Sequence, residues 1–203
     1  MSTRLLLATR NTKKLAELQR ILDAALGAGT VVLVGLADVP PYDEAPETEL
    51  TFVDNALLKA REGAARTGLA TVADDSGLAV DALSGMPGVF SARWSGRHGD
   101  DVANLELVLA QLSDVDDSRR GARFVCAAAL VLPDGREFAT HGEMVGHLVR
   151  SPRGSGGFGY DPIFVAERNT LTNAELTPEQ KDAISHRGQA FRALAEVIRA
   201  HAL

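Results

Sequence analysis

The fold class is decided first by residues 4–26, which read RLLLATRNTKKLAELQRILDAAL. The apolar run at 4–9 predicts a short buried strand, and a polar turn follows it. Beyond the turn, apolar side chains recur at helical spacing and predict a helix over 13–26, with one face formed by Leu15, Leu18, Leu22 and Ala25. A strand that leads directly into an amphipathic helix is typical of α/β folds.

The rest of the chain continues this alternation. Strands are predicted at 30–36, 70–73, 123–132, 137–149 and 163–165, and helices at 51–66, 102–112, from about 178 and from about 188. The third strand is expected to end at Asp74, where Asp-Asp-Ser-Gly is typical of a turn, and Pro133-Asp-Gly predicts a hairpin. We therefore expect one domain over 1–203, an α/β fold with a mixed central sheet, flanking helices and two lobes around a cleft.

Composition excludes several classes of function. The 203 residues include 21 Lys and Arg against 27 Asp and Glu, a net charge of −6. This balance argues against binding to nucleic acid and against a polybasic contact with a membrane. The apolar run at 5–8 is too short for a membrane span, and the single cysteine, Cys126, cannot form an internal disulfide. We therefore expect a cytoplasmic protein. No Walker A or G-x-S-x-G motif occurs, so P-loop and α/β-hydrolase mechanisms have no support.

The turn at 9–14 is the first candidate for ligand binding. It lies where a strand ends and a helix begins, so backbone N–H groups and the helix dipole favour an anion such as a triphosphate. Two lysines add positive charge, and the whole set is Thr9, Arg10, Asn11, Thr12, Lys13 and Lys14. An N-capped helix with solvated lysines accounts for the same residues without a ligand.

The adjacent carboxylates of Asp74 and Asp75 are the second candidate. They repel one another and stay ionised together only beside a cation or strong hydrogen bonds. Mg²⁺ takes oxygen ligands and commonly uses one or two carboxylates together with substrate phosphates. The acidic group of Glu44, Glu47 and Glu49 offers a further ligand, or is solvated charge beside a helix start. An Asp-rich turn without a metal also fits the pattern.

The glycine-rich segment 154–162 is the third candidate. It contains G-x-G-x-x-G but leads into a strand, so it lacks the context of a dinucleotide-binding turn. Its aromatic residues, Phe158 and Tyr160, either stack on a nucleobase or belong to the core.

The segment 185–188 is the last candidate. His186 and Arg187, with Lys181, can donate hydrogen bonds to a base carbonyl or a phosphate, or form a polar junction between helices. Cys126 lies in an apolar strand, which favours a buried thiol over a nucleophile.

Six segments in order resemble the inosine/xanthosine triphosphate pyrophosphatase family, whose members remove deaminated purine nucleotides. They are LATRNTKK (7–14), ETELTF (47–52) with Asn55-Ala56, ADDSGL (73–78), GVFSAR (88–93), GGFGYDP (156–162) and SHRG (185–188). Together they span nearly the whole chain.

The resemblance implies a long central sheet, two lobes around a nucleotide cleft, and a homodimer. It also implies Mg²⁺-dependent hydrolysis of ITP, dITP and XTP to the monophosphate and pyrophosphate. Residues 9–14 would hold phosphates, and Asp75 would be the catalytic acid/base residue and a metal ligand. Contacts with the nucleotide are implied for Ser76, Phe158, Gly159, Tyr160, Asp161, Lys181, His186 and Arg187.

Two departures from the family pattern bear on the site. Arg10 and Pro46 stand where many members have glycine and glutamate, which leaves the second protein ligand of the metal between Glu47 and Asp74. The 6-oxo group of hypoxanthine and xanthine accepts a hydrogen bond where adenine donates one. A donor such as Arg187 or a backbone N–H therefore predicts a preference for ITP over ATP.

Two other interpretations stay open. One is a Maf-like nucleotide pyrophosphatase that acts on other modified nucleotides. The other is a nucleotide sensor that binds without hydrolysis, against which the presence of Asp74, Asp75 and Lys14 argues.

Overall fold

The structure, a computed structural model, describes residues 2–43 and 46–203, except the side chain of Lys13. Its strands are β1 (Thr3–Leu7), β2 (Val31–Val34), β3 (Thr71–Val80), β4 (Gly121–Val131), β5 (Glu137–Leu148) and β6 (Phe164–Ala166). Its α-helices are α1 (Thr12–Leu26), α2 (Phe52–Thr67), α3 (Asp101–Gln111), α4 (Pro178–Ile184) and α5 (His186–His201). Within the described part of the chain, no helix combines the length and apolarity needed to cross a membrane.

Two helices begin after capping threonines, close to the starts that the sequence predicts. At the start of α2, Thr51 Oγ1 accepts a hydrogen bond from the Asp54 N–H at 3.1 Å. At the start of α4, Thr177 Oγ1 accepts one from the Gln180 N–H at 3.3 Å. These hydroxyls satisfy backbone donors that have no partner within the helix. The last helix, α5, begins at His186, two residues before its predicted start at 188.

The strands form one sheet in the order β2-β1-β3-β4-β5-β6. β1 is parallel to β2, with Leu5 opposite Leu33, and is also parallel to β3. β6 is antiparallel to β5, with His147 opposite Val165. α1 connects the parallel pair β1 and β2, because parallel neighbours need a crossover rather than a hairpin. The predicted α/β fold with a mixed sheet and flanking helices is therefore confirmed.

The third strand is longer than predicted. β3 runs for ten residues and continues through 74–77, so the predicted turn at Asp74 is wrong. Asp74 and Asp75 are 4% and 7% exposed, and side chains from other elements neutralise their charges. A Cβ at Gly77 would collide with Ser91 and with the carbonyl of Gly88, so this glycine serves close packing rather than a turn. Both carboxylates thus lie within a strand and not at its tip.

The chain divides into two compact units. Unit 1 comprises Met1–Asp75, Cys126–Gly142 and Arg187–Leu203, and unit 2 comprises Ser76–Val125 and Glu143–His186. Each has its own cluster of buried apolar side chains. The cluster in unit 1 includes Leu5, Leu18, Leu22, Leu130, Phe191 and Leu194, and that in unit 2 includes Leu78, Val108, Leu112, Phe124 and Phe164. One domain of two lobes around a cleft stays a prediction.

Candidate active site

Five charged side chains of unit 1 lie around the two aspartates of β3, and we refer to all seven residues as the charged cluster. Helices α1, α2 and α5 and the loop before α2 contribute the others. The members are Lys14, Glu17, Glu47, Lys59, Asp74, Asp75 and Arg187.

Asp74 holds two cations of the charged cluster together. The Lys14 Nζ lies 3.1 Å from Asp74 Oδ2, and Arg187 Nε lies 3.3 Å from the same oxygen. Arg187 Nη1 also lies 3.5 Å from Glu17 Oε2. Burial opposes ionisation of Asp74, but the neighbouring cations outweigh it and hold the pKa of this carboxyl below its ordinary value. Asp74 is therefore an anion throughout the physiological pH range.

Asp75 is in a different electrostatic environment. Lys59 Nζ lies 3.5 Å from Asp75 Oδ1 and 2.8 Å from Glu47 Oε1. Burial raises the pKa of Asp75 to about 6; the negative charge of Glu47 adds to the rise, and Lys59 opposes it. For Lys59, burial lowers the pKa, but the surrounding carboxylates outweigh burial and raise it. At neutral pH Asp75 is ionised but readily protonated, which suits a group that accepts a proton during a reaction.

Lys59 is a member of the charged cluster that the sequence reasoning missed. α2 buries Asn55, Ala56 and Ala60, and Lys59 follows Asn55 by one helical turn on the same face. The Lys59 side chain is only 16% exposed. A lysine on the buried face of a helix requires a counter-charge. The spacing of four residues from Asn55 is therefore the sequence signal that could have identified Lys59.

The turn before α1 forms a capped helix start. Asn11 Oδ1 accepts a hydrogen bond from the Lys14 N–H at 3.2 Å, and Thr9 Oγ1 accepts one from the Asn11 N–H at 3.2 Å. Capping by Asn11 is thus confirmed, and Arg10, Asn11 and Thr12 are exposed. The side chain of Lys13 lies outside the described part of the chain. The Lys14 side chain extends from this turn to Asp74 in β3.

The three glutamates before α2 have different surroundings. Glu47 joins the charged cluster through Lys59. The backbone N–H of Glu49 donates to Asn55 Oδ1 at 3.0 Å and ties the loop to α2. Glu44 lies outside the described residues.

A second group, in unit 2, lies around Asp161. This carboxylate is 3% exposed, and its Oδ2 accepts a hydrogen bond from the Phe158 N–H at 2.8 Å and lies 2.5 Å from Lys181 Nζ. The Lys181 ammonium also lies 4.9 Å from the centroid of the Phe158 ring, a cation–π distance. Phe158 itself is 56% exposed. Unit 2 therefore offers an accessible aromatic ring with a cation beside it.

The two aromatic residues of the glycine-rich segment have different roles. Tyr160 is 4% exposed and its hydroxyl donates to the Ser91 carbonyl at 2.8 Å, so it belongs to the core. Burial, with the nearby Asp101 carboxylate, raises the pKa of its phenol. Of the predicted nucleotide contacts that remain, His186 is buried with its ring stacked 5.0 Å from Phe124, and Ser76 lies within β3.

Comparison with known proteins identifies the family. The profile of the Ham1 family matches residues 5–197, which is nearly the whole chain. The chain belongs to the Ham1 family. Membership, together with the names of the relatives below, confirms the resemblance that the six sequence segments indicate.

Relatives in the Ham1 family agree in sequence and in fold. The dITP/XTP pyrophosphatase of Nocardia farcinica is 65% identical over 197 residues, which cover 97% of this chain and 95% of the relative. The crystal structure of a nucleoside-triphosphatase / dITP/XTP pyrophosphatase from Mycobacterium abscessus matches with a TM-score of 0.80 and 61% identity, over 97% of this chain and 99% of that one. A HAM1 protein from Coxiella burnetii matches with a TM-score of 0.87 and 42% identity, over 98% and 99%. These findings give no support to the Maf-like alternative.

Proposed function

We propose that this chain hydrolyses the non-standard purine nucleotides ITP, dITP and XTP to the nucleoside monophosphate and pyrophosphate. It is a nucleoside triphosphate pyrophosphatase, a hydrolase that acts on acid anhydrides and removes these nucleotides from the pool. The observation that carries the proposal is the 65% identity, over 97% of the chain, to a protein named dITP/XTP pyrophosphatase. The charged cluster and the group around Asp161 supply residues for this chemistry.

The charged cluster and the turn before α1 form the proposed phosphate site. Lys14 and Lys59 supply ammonium groups, and the first turn of α1 lies at the positive end of the helix dipole. No acidic residue occurs in the first turn of α1, so that positive end is not neutralised locally. Arg187 fixes Asp74, and its direct contact with the nucleotide stays a prediction.

The donor set of the charged cluster fits a hard divalent cation, which we propose is Mg²⁺. Its four carboxylates and three cations give a net charge of 3 − 4 = −1 when all are ionised. A triphosphate adds further negative charge, so binding it here calls for a cation. Asp75 and Glu47, which share one cation, Lys59, are the carboxylates that would hold the ion, because Asp74 lies between two cations, Lys14 and Arg187.

Substrate oxygens would complete that metal site. Among the described residues, no three His, Cys, Asp or Glu side chains are grouped so as to hold a metal by themselves. Mg²⁺ sites of one or two carboxylates plus substrate phosphates are common, so the fit is of that kind. When bound, the ion neutralises charge on the phosphate oxygens.

We assign proton transfer to Asp75. Its pKa of about 6 leaves it ionised at neutral pH, so it can accept a proton from a water molecule that attacks the α-phosphorus. Lys59, 3.5 Å from Asp75, stabilises the ionised carboxylate and adds positive charge for the phosphates. Pyrophosphate then leaves in line with the attack. The chain contributes positioning and electrostatic stabilisation rather than covalent chemistry.

Phe158 is the proposed stacking surface for the purine. Stacking does not discriminate between purines, so selectivity needs a donor to the 6-oxo group. The N–H groups of Phe158 and Gly159 already donate to Asp161 and Asp101, so the donor lies elsewhere. Lys181, whose ammonium lies over the Phe158 ring, is a donor of the required kind.

Two further properties belong to the same proposal. Resemblance to the pyrophosphatase family supports a homodimer, which light scattering on the purified protein tests. The proposed substrates and the buried free thiol of Cys126 support a cytoplasmic location.

Product analysis tests the proposed function. The purified protein is incubated with ITP, dITP, XTP, GTP and ATP, with and without Mg²⁺, and the phosphate products are identified. We expect pyrophosphate as co-product and a kcat/KM for ITP about 5- to 150-fold above that for ATP, since leaving a buried donor unpaired costs about 1–3 kcal/mol. Orthophosphate release, or equal kcat/KM for ITP and ATP, would contradict the proposal. Binding without hydrolysis would favour a nucleotide sensor.

A further inference from the structure

Two consecutive backbone amides next to the exposed Phe158 ring donate to carboxylates from different elements of unit 2. The Phe158 N–H donates to Asp161 Oδ2 at 2.8 Å, and the Gly159 N–H donates to Asp101 Oδ2 at 2.8 Å. Asp161 belongs to the same segment as Phe158, whereas Asp101 is the first residue of α3, 58 positions away from Gly159. Asp101 therefore ties residues 157–160, which we call the aromatic turn, to α3.

The backbone of this turn needs such a tie. Gly157 and Gly159 have φ values of +73° and +59°, in the left-handed region that favours glycine. Glycine-rich backbone loses more conformational entropy on ordering than other backbone does, so its conformation depends on the hydrogen bonds that hold it. The Phe158 ring is 56% exposed, so the hydrogen bonds of its backbone contribute to its orientation together with the Lys181 ammonium beside it.

We propose that Asp101 is a positioning residue for nucleobase binding. Its carboxylate fixes Gly159 and so holds the Phe158 ring in the orientation on which a purine stacks. The inference rests on the proposed function, in which Phe158 is the stacking surface. Asp101 makes no contact with the nucleotide in this scheme, so its loss weakens substrate binding and leaves the chemistry at the phosphate unchanged.

A purely structural role of Asp101 makes different predictions. A carboxylate in the first turn of a helix also stabilises that helix through its dipole. The preceding residue, Asp100, is the N-cap of α3, and its Oδ1 accepts a hydrogen bond from the Ala103 N–H at 3.2 Å. Asp100 thus offers a matched control, because it supports the same helix end without contacting the aromatic turn.

Steady-state kinetics with ITP test the proposal. For Asp101→Ala we expect KM to rise about 3- to 10-fold while kcat changes less than about twofold, as for loss of one hydrogen bond to a charged acceptor. Asp101→Asn loses the charge but keeps an acceptor oxygen, so its KM is expected within about twofold of the parent. Asp100→Ala is expected to lower the thermal midpoint without a change in KM.

A double-mutant cycle with Phe158→Ala tests whether Asp101 affects KM through the Phe158 ring. Loss of the ring is expected to raise KM about 5- to 150-fold, from the 1–3 kcal/mol typical of base stacking. Asp101→Ala added to Phe158→Ala should raise KM no further, because the group that it positions is gone.

Several outcomes would overturn the proposal. They are an unchanged KM in Asp101→Ala, equal impairment of Asp101→Asn and Asp101→Ala, and additive effects in the cycle. A KM that Phe158→Ala leaves unchanged would remove the stacking role and this inference together, while pyrophosphate release by the parent protein would still support the proposed function.

Discussion

Replacing Asp75 by asparagine is expected to abolish turnover and to make the fold more stable. The pKa of Asp75 is about 6 in the folded chain, above its ordinary value of 3.8, because burial disfavours the charge. Below pH 3.8 the group is protonated in both states and contributes nothing. Between pH 3.8 and 6 the Asp75 carboxyl is largely ionised in the unfolded chain but still protonated in the folded one, so the stability of the fold decreases as pH rises. Above pH 6 the cost is complete: a rise of the pKa from 3.8 to about 6, at 1.36 kcal/mol per pH unit, corresponds to roughly 3 kcal/mol.

Replacing the neighbouring Asp74 by asparagine should instead make the fold less stable. The pKa of Asp74 is lowered, because Lys14 and Arg187 outweigh its burial, so its charge stabilises the fold above the ordinary pKa. That stabilisation is lost only as pH falls through the lowered value. Asp74→Asn removes the counter-charge that Lys14 and Arg187 share and should cost about 3–5 kcal/mol.

Urea unfolding from pH 5 to pH 8, in the presence of a chelator, measures both variants. At pH 8 we expect Asp75→Asn to be about 3 kcal/mol more stable than the parent, which corresponds to about 6–12 °C in the thermal midpoint. The difference should shrink as pH falls below 6. A variant less stable than the parent at pH 8, or a difference that does not depend on pH, would refute the burial argument. Full ITP hydrolysis by folded Asp75→Asn would refute the catalytic assignment.

Three further predictions address catalysis and packing. When divalent metal is limiting, kcat/KM for ITP should fall about tenfold per pH unit below about pH 6, because protonated Asp75 cannot accept a proton. A flat profile from pH 5 to 8 would contradict this. Lys59→Met keeps the apolar stem but removes the charge, and should lower kcat/KM about 10- to 100-fold, whereas Arg66→Met at the exposed end of α2 should not. Gly77→Ala should destabilise the fold by about 1–3 kcal/mol in urea unfolding, since its methyl group would collide with Ser91; unchanged stability would show that β3 can shift.

The elements that the sequence predicts well depend on local interactions. The leucines of α1 recur at helical spacing, Thr51 and Thr177 cap their helices, and Pro133-Asp-Gly follows a long apolar strand. Each signal involves residues within a few positions of one another, so no knowledge of distant partners is needed. The ends of these helices lie within about two residues of the predicted ends.

The course of β3 and the role of Lys59 depend on distant partners. Two adjacent aspartates are typical of a turn unless cations surround them. The cations that hold Asp74 come from Lys14, 60 positions away, and from Arg187, 113 positions away. Lys59 belongs to none of the motifs that carry the family resemblance. Its importance follows from the placement of α2 beside β3, where it lies 3.5 Å from Asp75.

The sequence by itself determined the α/β class, the family and the residue types available for phosphate, metal and base binding, because periodicity, capping and ordered motifs are local properties of the chain. The tertiary structure decided which of two adjacent aspartates is a permanent anion and which titrates near neutrality. The physical reason is that burial disfavours both charges, while two cations, Lys14 and Arg187, lie against Asp74, and Lys59 lies between Asp75 and a second carboxylate, Glu47.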